Sequence, residues 1–436
     1  MYPRTWILFE DRAFIEVCTL LVTNPKRVNK SDEINLYWNN YYAGYSPTFT
    51  NKIITSSDLN ESSIILDPWN GSGTATFAAS ISGFHSIGID LNPVMKIIAK
   101  AKQATISDVE ITIERLESFK LAEEVATNIH DPLNIWFDNE GVIVLRKIER
   151  TILGNIKCKS TIYKVNSLDV SQCLMYTALF NSVREYLKPF ISSNPTWIRK
   201  PGSDVEKISI NMESFESKYR SFLQHMVEKA SLVEHTCFSG LSELVIGSSS
   251  KIPFRDEYVD LVLTSPPYCT RIDYGVATLP ELAIVAVEGR GEIDSIRRRL
   301  MGTTTVPKSA NIITEEYGPE CLTFLDLVKT HQSKASRTYY YKNFCQYFLD
   351  LKESVGEISR VLKRKCRAVC VVQNSFYKDI HCDLSRILTE MAILSGLNLV
   401  DKADFEVKKN MANVNTRSRP YRAANIVFET VLTLEK

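Results

Sequence analysis

Apolar residues along the chain come in two textures. Short aliphatic runs bounded by turn residues occur between Ser63 and Lys100 and again after Leu244, while the stretch between them has the spacing of amphipathic helices. In the first region Ile64-Ile65-Leu66 reads as a strand ending at Asp67, followed by a glycine-containing turn, Pro68-Trp69-Asn70-Gly71-Ser72-Gly73-Thr74. Ala75 to Ser82 then reads as a helix of small residues, and Ser86-Ile87-Gly88-Ile89-Asp90 as a second strand ending in an acid. Strand, glycine turn, helix, strand and acid in that order open a doubly wound parallel sheet.

From Ile106 to Glu234 the periodicity is helical, as in Val142 to Ile148 and Met175 to Leu187, with a Pro/Gly break between Asn194 and Gly202. Strands return at Leu244-Val245-Ile246 and at Val259 to Thr264, the latter apolar enough to be a buried parallel strand. After a polar stretch from Gly289 to Lys342, Phe344 to Leu362 predicts a helix, Ala368 to Gln373 a strand, Asp383 to Ser395 a helix and Asn425 to Leu434 a final strand. The expected fold is α/β, a Rossmann-like doubly wound sheet split by a mostly helical insertion. Its parts are expected at residues 1–105, 106–235 for the insertion, and 236–436 with a polar insertion at 289–342.

Composition narrows the class. With 436 residues, 44% hydrophobic, and 52 Lys+Arg against 51 Asp+Glu for a net charge of +1, the chain is neither disordered nor fibrous. That balance speaks against a surface uniformly coated in basic residues. It is uneven, however: residues 286–436 hold 24 basic and 18 acidic residues, the remainder 28 and 33. The ten cysteines include no C-x-x-C pair, so no metal site and no disulfide framework is expected, and a reduced, cytoplasmic compartment fits. Cys366 and Cys370 lie in an apolar run and are expected to be small buried thiols. Glu10, Asp11, Arg12 and Glu16 interrupt the N-terminal apolar residues, leaving neither a signal-peptide core nor the ~20 apolar residues of a membrane span.

Ligands of open α/β sheets bind beyond the carboxyl ends of the strands, and three strand ends here carry unusual residues. At the first, Gly71 and Gly73 would let backbone approach a ligand and leave amides free at a helix start. At the second, Asp90, with Leu91 beside it, can accept both hydroxyls of a ribose. The third is Thr264-Ser265-Pro266-Pro267-Tyr268. Two consecutive prolines remove two amide donors, so their carbonyls are expected to face a pocket as unopposed acceptors for an amino group, with the Tyr268 ring stacking on a flat base.

These residues resemble the amino-methyltransferases of DNA, which use S-adenosylmethionine to methylate an exocyclic nitrogen of adenine or cytosine. Asp67-Pro68-Trp69-x-Gly71-Ser72-Gly73-Thr74 is similar to the family's cofactor motif, with Trp69 where Phe is usual, and Ser265-Pro266-Pro267-Tyr268 resembles its catalytic motif. The resemblance implies that Asp90 takes the ribose, that Ser248 lies beside the adenine where the family often has Asp, and that Tyr45-Ser46-Pro47-Thr48-Phe49 closes over the methionine end, with Tyr45 and Pro47 as contacts. Glu357 to Lys363 before the Ala368 strand is also familiar from this fold. The order of the two motifs excludes the permuted arrangement. Ser before Pro-Pro-Tyr favours cytosine N4 over adenine N6. The implied chemistry is direct transfer, in which a neutral amine attacks the sulfonium methyl; Cys269 is expected to be a bystander, not a ring-attacking nucleophile.

A duplex base must be flipped out to be reached, so DNA contacts are expected too. Arg297-Arg298-Arg299 and Arg417, Arg419 and Arg422 are the candidate phosphate contacts, in the basic C-terminal part. Sequence recognition is expected from residues 106–235, from 289–342, or from both. Asn194-Pro195-Thr196-Trp197 is similar to a variant catalytic motif but lacks the second proline and follows a helix, so a loop is expected there. Two other functions share these features: an RNA methyltransferase of the guanine-N2 type, and a non-catalytic DNA-binding subunit of a restriction or phage-defence complex.

Overall fold

The computed structural model describes residues 5–7, 15–17, 20–26, 44–125, 128, 130–191, 197–231, 240–269, 273–307, 313–407 and 426–436. Seven strands form the central sheet: β1 (Ile64–Asp67), β2 (His85–Asp90), β3 (Ser242–Ile246), β4 (Val259–Thr264), β5 (Leu362–Gln373), β6 (Asn398–Glu406) and β7 (Phe428–Glu435). Their spatial order is β3-β2-β1-β4-β5-β7-β6. The first five are parallel, and β7 runs antiparallel to both β5 and β6. The strand succession turns back between β1 and β4. That reversal is the switch point at which doubly wound sheets open a crevice.

Period-two alternation sorts the strand residues onto two faces. Ile65, Leu261, Leu263, Val369 and Val371 pack against α1 (Pro47–Ser56) and α2 (Thr74–Ile81) through Tyr45, Phe49, Ile53 and three alanines. Leu66, Val262, Ala368, Cys370 and Val372 face the other way. From α3 (Pro93–Ala101) the chain enters five further helices, α4 (Ile106–Glu117), α5 (Asn139–Leu153), α6 (Thr161–Ser167), α7 (Val170–Tyr186) and α8 (Met212–Ser231), before reaching β3. The helical stretch therefore lies inside the β2-to-β3 crossover.

After β4 come α9 (Tyr274–Ala277), α10 (Leu279–Val285) and α11 (Arg290–Arg299), of which α10 and α11 share one apolar core with α3 and the crossover helices. Beyond them, α12 (Pro319–Thr330), α13 (Tyr341–Val361) and α14 (Leu384–Leu394) cover the second face of the sheet through Phe324, Phe348, Leu351 and Leu388. No helix among the described residues is long and apolar enough to cross a membrane.

Several elements were not read from the pattern, α9 and α10 among them. α1 is specified by Ser46, whose hydroxyl accepts the Phe49 amide, and by Pro47 in the first turn. The stretch 289–342, expected as a polar insertion, contains α11 and α12, whose buried sides are Ile293 and Ile296, and Cys321, Phe324, Leu325 and Val328. β6 carries Asp401, Lys402, Asp404 and Glu406 because it is an edge strand whose residues are mostly exposed. Arg417, Arg419 and Arg422 lie outside the described residues, as do Asn194, Pro195 and Thr196.

Candidate active site

Beyond the carboxyl ends of β1, β2 and β4 lies a cleft of about 1160 Å³, counted to its open mouth. Asp67 ends β1 and is 3% exposed. Its carboxylate accepts the Thr264 hydroxyl at 2.6 Å, the Tyr45 hydroxyl at 2.9 Å and the Trp69 amide at 3.1 Å. Burial pushes its pKa up to about 6 against the pull of those three donors. Tyr45 also reaches the Leu263 carbonyl, so the start of α1 is stitched onto β1 and β4 by one side chain.

Asp90 ends β2, and each of its oxygens accepts one backbone amide: Gly71 at 2.9 Å on one, Asn92 at 2.8 Å on the other. Burial raises it likewise to about 6. The turn is held in shape by Gly71, at φ 47°, and by Asn70, whose amide donates to the Ile89 carbonyl and whose side chain occupies the space a Cβ at Gly88 would need. Two expectations for this turn are corrected. The Gly71 amide donates to Asp90 and the Gly73 amide to the Asn70 carbonyl, so neither is free at the helix start. Gly73 also does not line the cleft: a Cβ there would meet the Ala99 Cβ at 2.7 Å, so the glycine serves close packing of α2 on α3.

Ser265, Pro266, Pro267 and Tyr268 continue directly from β4 along the cleft wall. The expectation of two unopposed proline carbonyls holds for one. Tyr347 of α13 donates to the Pro267 carbonyl at 2.6 Å, whereas the Pro266 carbonyl has no donor among the described residues. The Tyr268 hydroxyl donates to Glu429 of β7 at 2.6 Å, and the Ser265 hydroxyl also interacts with it. Burial and the Glu429 charge drive the Tyr268 phenol well above its ordinary range, so it is a neutral donor. Cys269 is 5% exposed, and burial and Cys382 raise its thiol, which leaves no thiolate for nucleophilic attack.

The cleft brings together Tyr45, Asp67, Trp69, Gly71, Thr74, Asp90, Leu91, Ser248 and the four residues of the Ser-Pro-Pro-Tyr turn. Pro47 is not in its wall; it sits at the start of α1, where its ring begins the helix. Of the arginine run, Arg299 lines the cleft mouth and Arg298 is exposed. Arg297 turns inward to the buried Asp273 at 3.2 Å, against Gly275, and is withdrawn from the phosphate-facing set. Tyr274, Thr278, Met301 and Asp350 are among the wall residues missed by sequence reasoning. They come from α9 to α13, segments with no motif spacing to mark them. Among the described residues no cluster suited to a metal ion occurs.

The sheet order and the placement of the cleft define a Rossmann-like doubly wound α/β fold. No protein-family model matches the chain. Its curated relatives are methyltransferases. It is 25% identical over 390 residues to the Type II methyltransferase M.AvaI of Anabaena variabilis, covering 83% of this chain and 79% of the relative. M.BsoBI of Geobacillus stearothermophilus is 26% identical over 307 residues, 65% of this chain and 58% of its own length. M.MvaI of Kocuria varians is 24% identical over 352 residues, 75% and 73% of the two chains. Among solved structures, a SAM-dependent methyltransferase from Methanosarcina mazei superposes with a TM-score of 0.30 at 10% identity, covering 88% of this chain and 96% of that one. The cyclase SpnF gives 0.33 at 9% identity, covering 92% and 86%. The resemblance carried by the two motifs thus has Type II methyltransferases as its sequence relatives over most of the chain.

Proposed function

We propose that this protein methylates DNA on an exocyclic amino group of a flipped-out base, cytosine N4 in preference to adenine N6, with S-adenosylmethionine as donor. The observation that carries this is the convergence, in one cleft at the sheet's switch point, of a carboxylate placed to accept a ribose and a proline carbonyl with no donor among the described residues. The donor set suits the cofactor: Asp90 keeps one lone-pair direction on each oxygen beyond its two amide bonds, the number a ribose diol needs. When bound, S-adenosylmethionine supplies an electrophilic sulfonium methyl. The chain's own residues do the rest. The Pro266 carbonyl and the Ser265 hydroxyl accept from the target amine, orient its lone pair and stabilise positive charge as the new bond forms. Tyr268 offers its ring face to the base while Glu429 fixes the ring's position. No side-chain nucleophile takes part, in keeping with the protonated Cys269.

Arg298 and Arg299, with the basic C-terminal part, supply phosphate contacts, and the helical crossover together with the α11–α12 region supplies sequence recognition. The Type II relatives favour DNA over RNA as substrate, and favour a role in a restriction-modification pair over a non-catalytic subunit. Incubation with methyl-labelled S-adenosylmethionine and mixed-sequence duplex DNA, followed by digestion to nucleosides, is expected to yield labelled N4-methylcytosine. Label in RNA but not in DNA would overturn the substrate, and label in N6-methyladenine would overturn the base.

A further inference from the structure

The wall of the cleft facing Ser248 and Ser250 is formed by α13, which the motifs do not mark. Tyr347, Asp350 and Ser354 stand three and four residues apart and so share one face of that helix. Tyr347 is committed to the Pro267 carbonyl. Two turns farther on, the Ser354 hydroxyl donates to the Asp350 backbone carbonyl at 2.7 Å and meets the Ser249 hydroxyl at 2.8 Å. Asp350 therefore lies between the proline turn and the loop after β3, about one turn from each anchor.

Its carboxylate is only half used. One oxygen accepts the Gln346 amide at 2.9 Å, while the other has no donor among the described residues, and no Lys or Arg pairs with the group. Burial and the neighbouring Glu353 raise it to about 6. A carboxylate in a cleft wall with no ion-pair partner among the described residues is costly unless something entering the cleft donates to it. A ribose seated on Asp90 places its base over the ends of β2 and β3, where Gly247 and Ser248 form the floor. The base atom group that could satisfy a lone acceptor there is a neutral amine.

We propose that Asp350 accepts the exocyclic amine of the cofactor's adenine and so selects an adenine nucleoside over a 6-oxo purine. This rests on the S-adenosylmethionine assignment above. The serines of the β3–β4 loop offer hydroxyls that donate or accept without preference; the acceptor that discriminates comes from α13.

Calorimetric titration of the full chain with S-adenosylhomocysteine and with S-inosylhomocysteine, which carries a carbonyl in place of the amine, tests this directly. The wild type is expected to bind the adenosine compound about 10- to 100-fold more tightly, the range of one hydrogen bond to a charged group. Asp350→Asn, whose amide also donates, narrows or reverses that preference; Asp350→Ala abolishes it. Equal affinity for the two compounds in the wild type overturns the assignment alone, and so does unchanged discrimination in an Asp350→Asn protein with a wild-type melting curve. A variant that discriminates normally but needs more DNA for half-maximal rate places Asp350 at the target base and likewise overturns it. Failure of the wild type to bind either compound removes the cofactor reading and this assignment with it.

Discussion

Two backbone amides, those of Gly71 and Asn92, already occupy one lone-pair direction on each oxygen of Asp90, and burial raises its pKa to about 6. The ionised form is the better acceptor for a diol, so affinity for S-adenosylhomocysteine is expected to rise as pH passes upward through about 6 and to level off above about 7. Stability moves the other way. Native-state values above the ordinary 3.8 mean that the folded protein binds more protons than the unfolded chain between about pH 4 and 6, so ionisation of Asp67 and Asp90 erodes stability over that window. Calorimetry across pH checks the first statement, and Asp90→Asn should flatten the profile. Tyr268 separates ring from hydroxyl. Tyr268→Phe keeps the stacking face but leaves the 8%-exposed Glu429 without its donor, and is expected to cost about 1–3 kcal/mol of stability in a denaturant melt. Tyr268→Ala removes the face as well and should cut the rate constant for methyl transfer by a further 5- to 150-fold, about 1–3 kcal/mol of base stacking. Asp67, Asp90 and the Ser-Pro-Pro-Tyr turn were legible because strand, turn and strand signals located them at strand ends. Asp350 and Glu429 were not, since each is a single acid in an ordinary amphipathic segment and acquires meaning only when α13 and β7 fold back onto the cleft.

The helices after β4 owe their placement to the helical crossover. Arg146 donates to the Ala283 and Ile284 carbonyls and Lys164 to that of Val285, at the end of α10, while both cations pair with Glu149. Although burial pushes Glu149 up, Lys164 and Arg146 hold its carboxyl below the ordinary range. Arg184 pairs with Glu281 and caps the Ala277 carbonyl in the same way. The crossover is thus locked to the segment that leads to Arg299, Leu300 and Met301 at the cleft. Lys164→Met is expected to destabilise the protein by about 3–5 kcal/mol, because Glu149 is left buried and under-compensated. Adding Glu149→Leu should recover part of the loss, which paired thermal melts would show. Helical periodicity revealed that these helices exist. It could not reveal the lock, because buried Arg, Glu and Lys at helical spacing read as a solvated face until a partner surface is known. β6 escaped notice for a related reason: an edge strand has little need of apolar alternation.

Across the whole molecule, the near balance of charge conceals a basic portion from residue 286 onward. If that portion meets DNA, log affinity should fall linearly with log salt, and removing a side chain that touches phosphate should lower the slope by about one. Arg298→Ala and Arg299→Ala are expected to do so in filter-binding titrations, whereas Arg297→Ala, whose partner is Asp273, should lower stability and leave the slope unchanged. The fold as a whole followed from the order of its strand and turn signals, and the site from two motifs at strand ends. Recognition of a base sequence follows from neither, because it depends on surfaces that no local pattern specifies. The central claim, methyl transfer to an amino group of a DNA base, is tested most directly by nucleoside analysis of DNA from cells expressing the chain, beside cells expressing a Tyr268→Ala variant. N4-methylcytosine present with the wild type and reduced with the variant is the expected result; DNA with no methylated amino base from cells expressing the wild type, in which the protein is folded and binds S-adenosylhomocysteine, would contradict it.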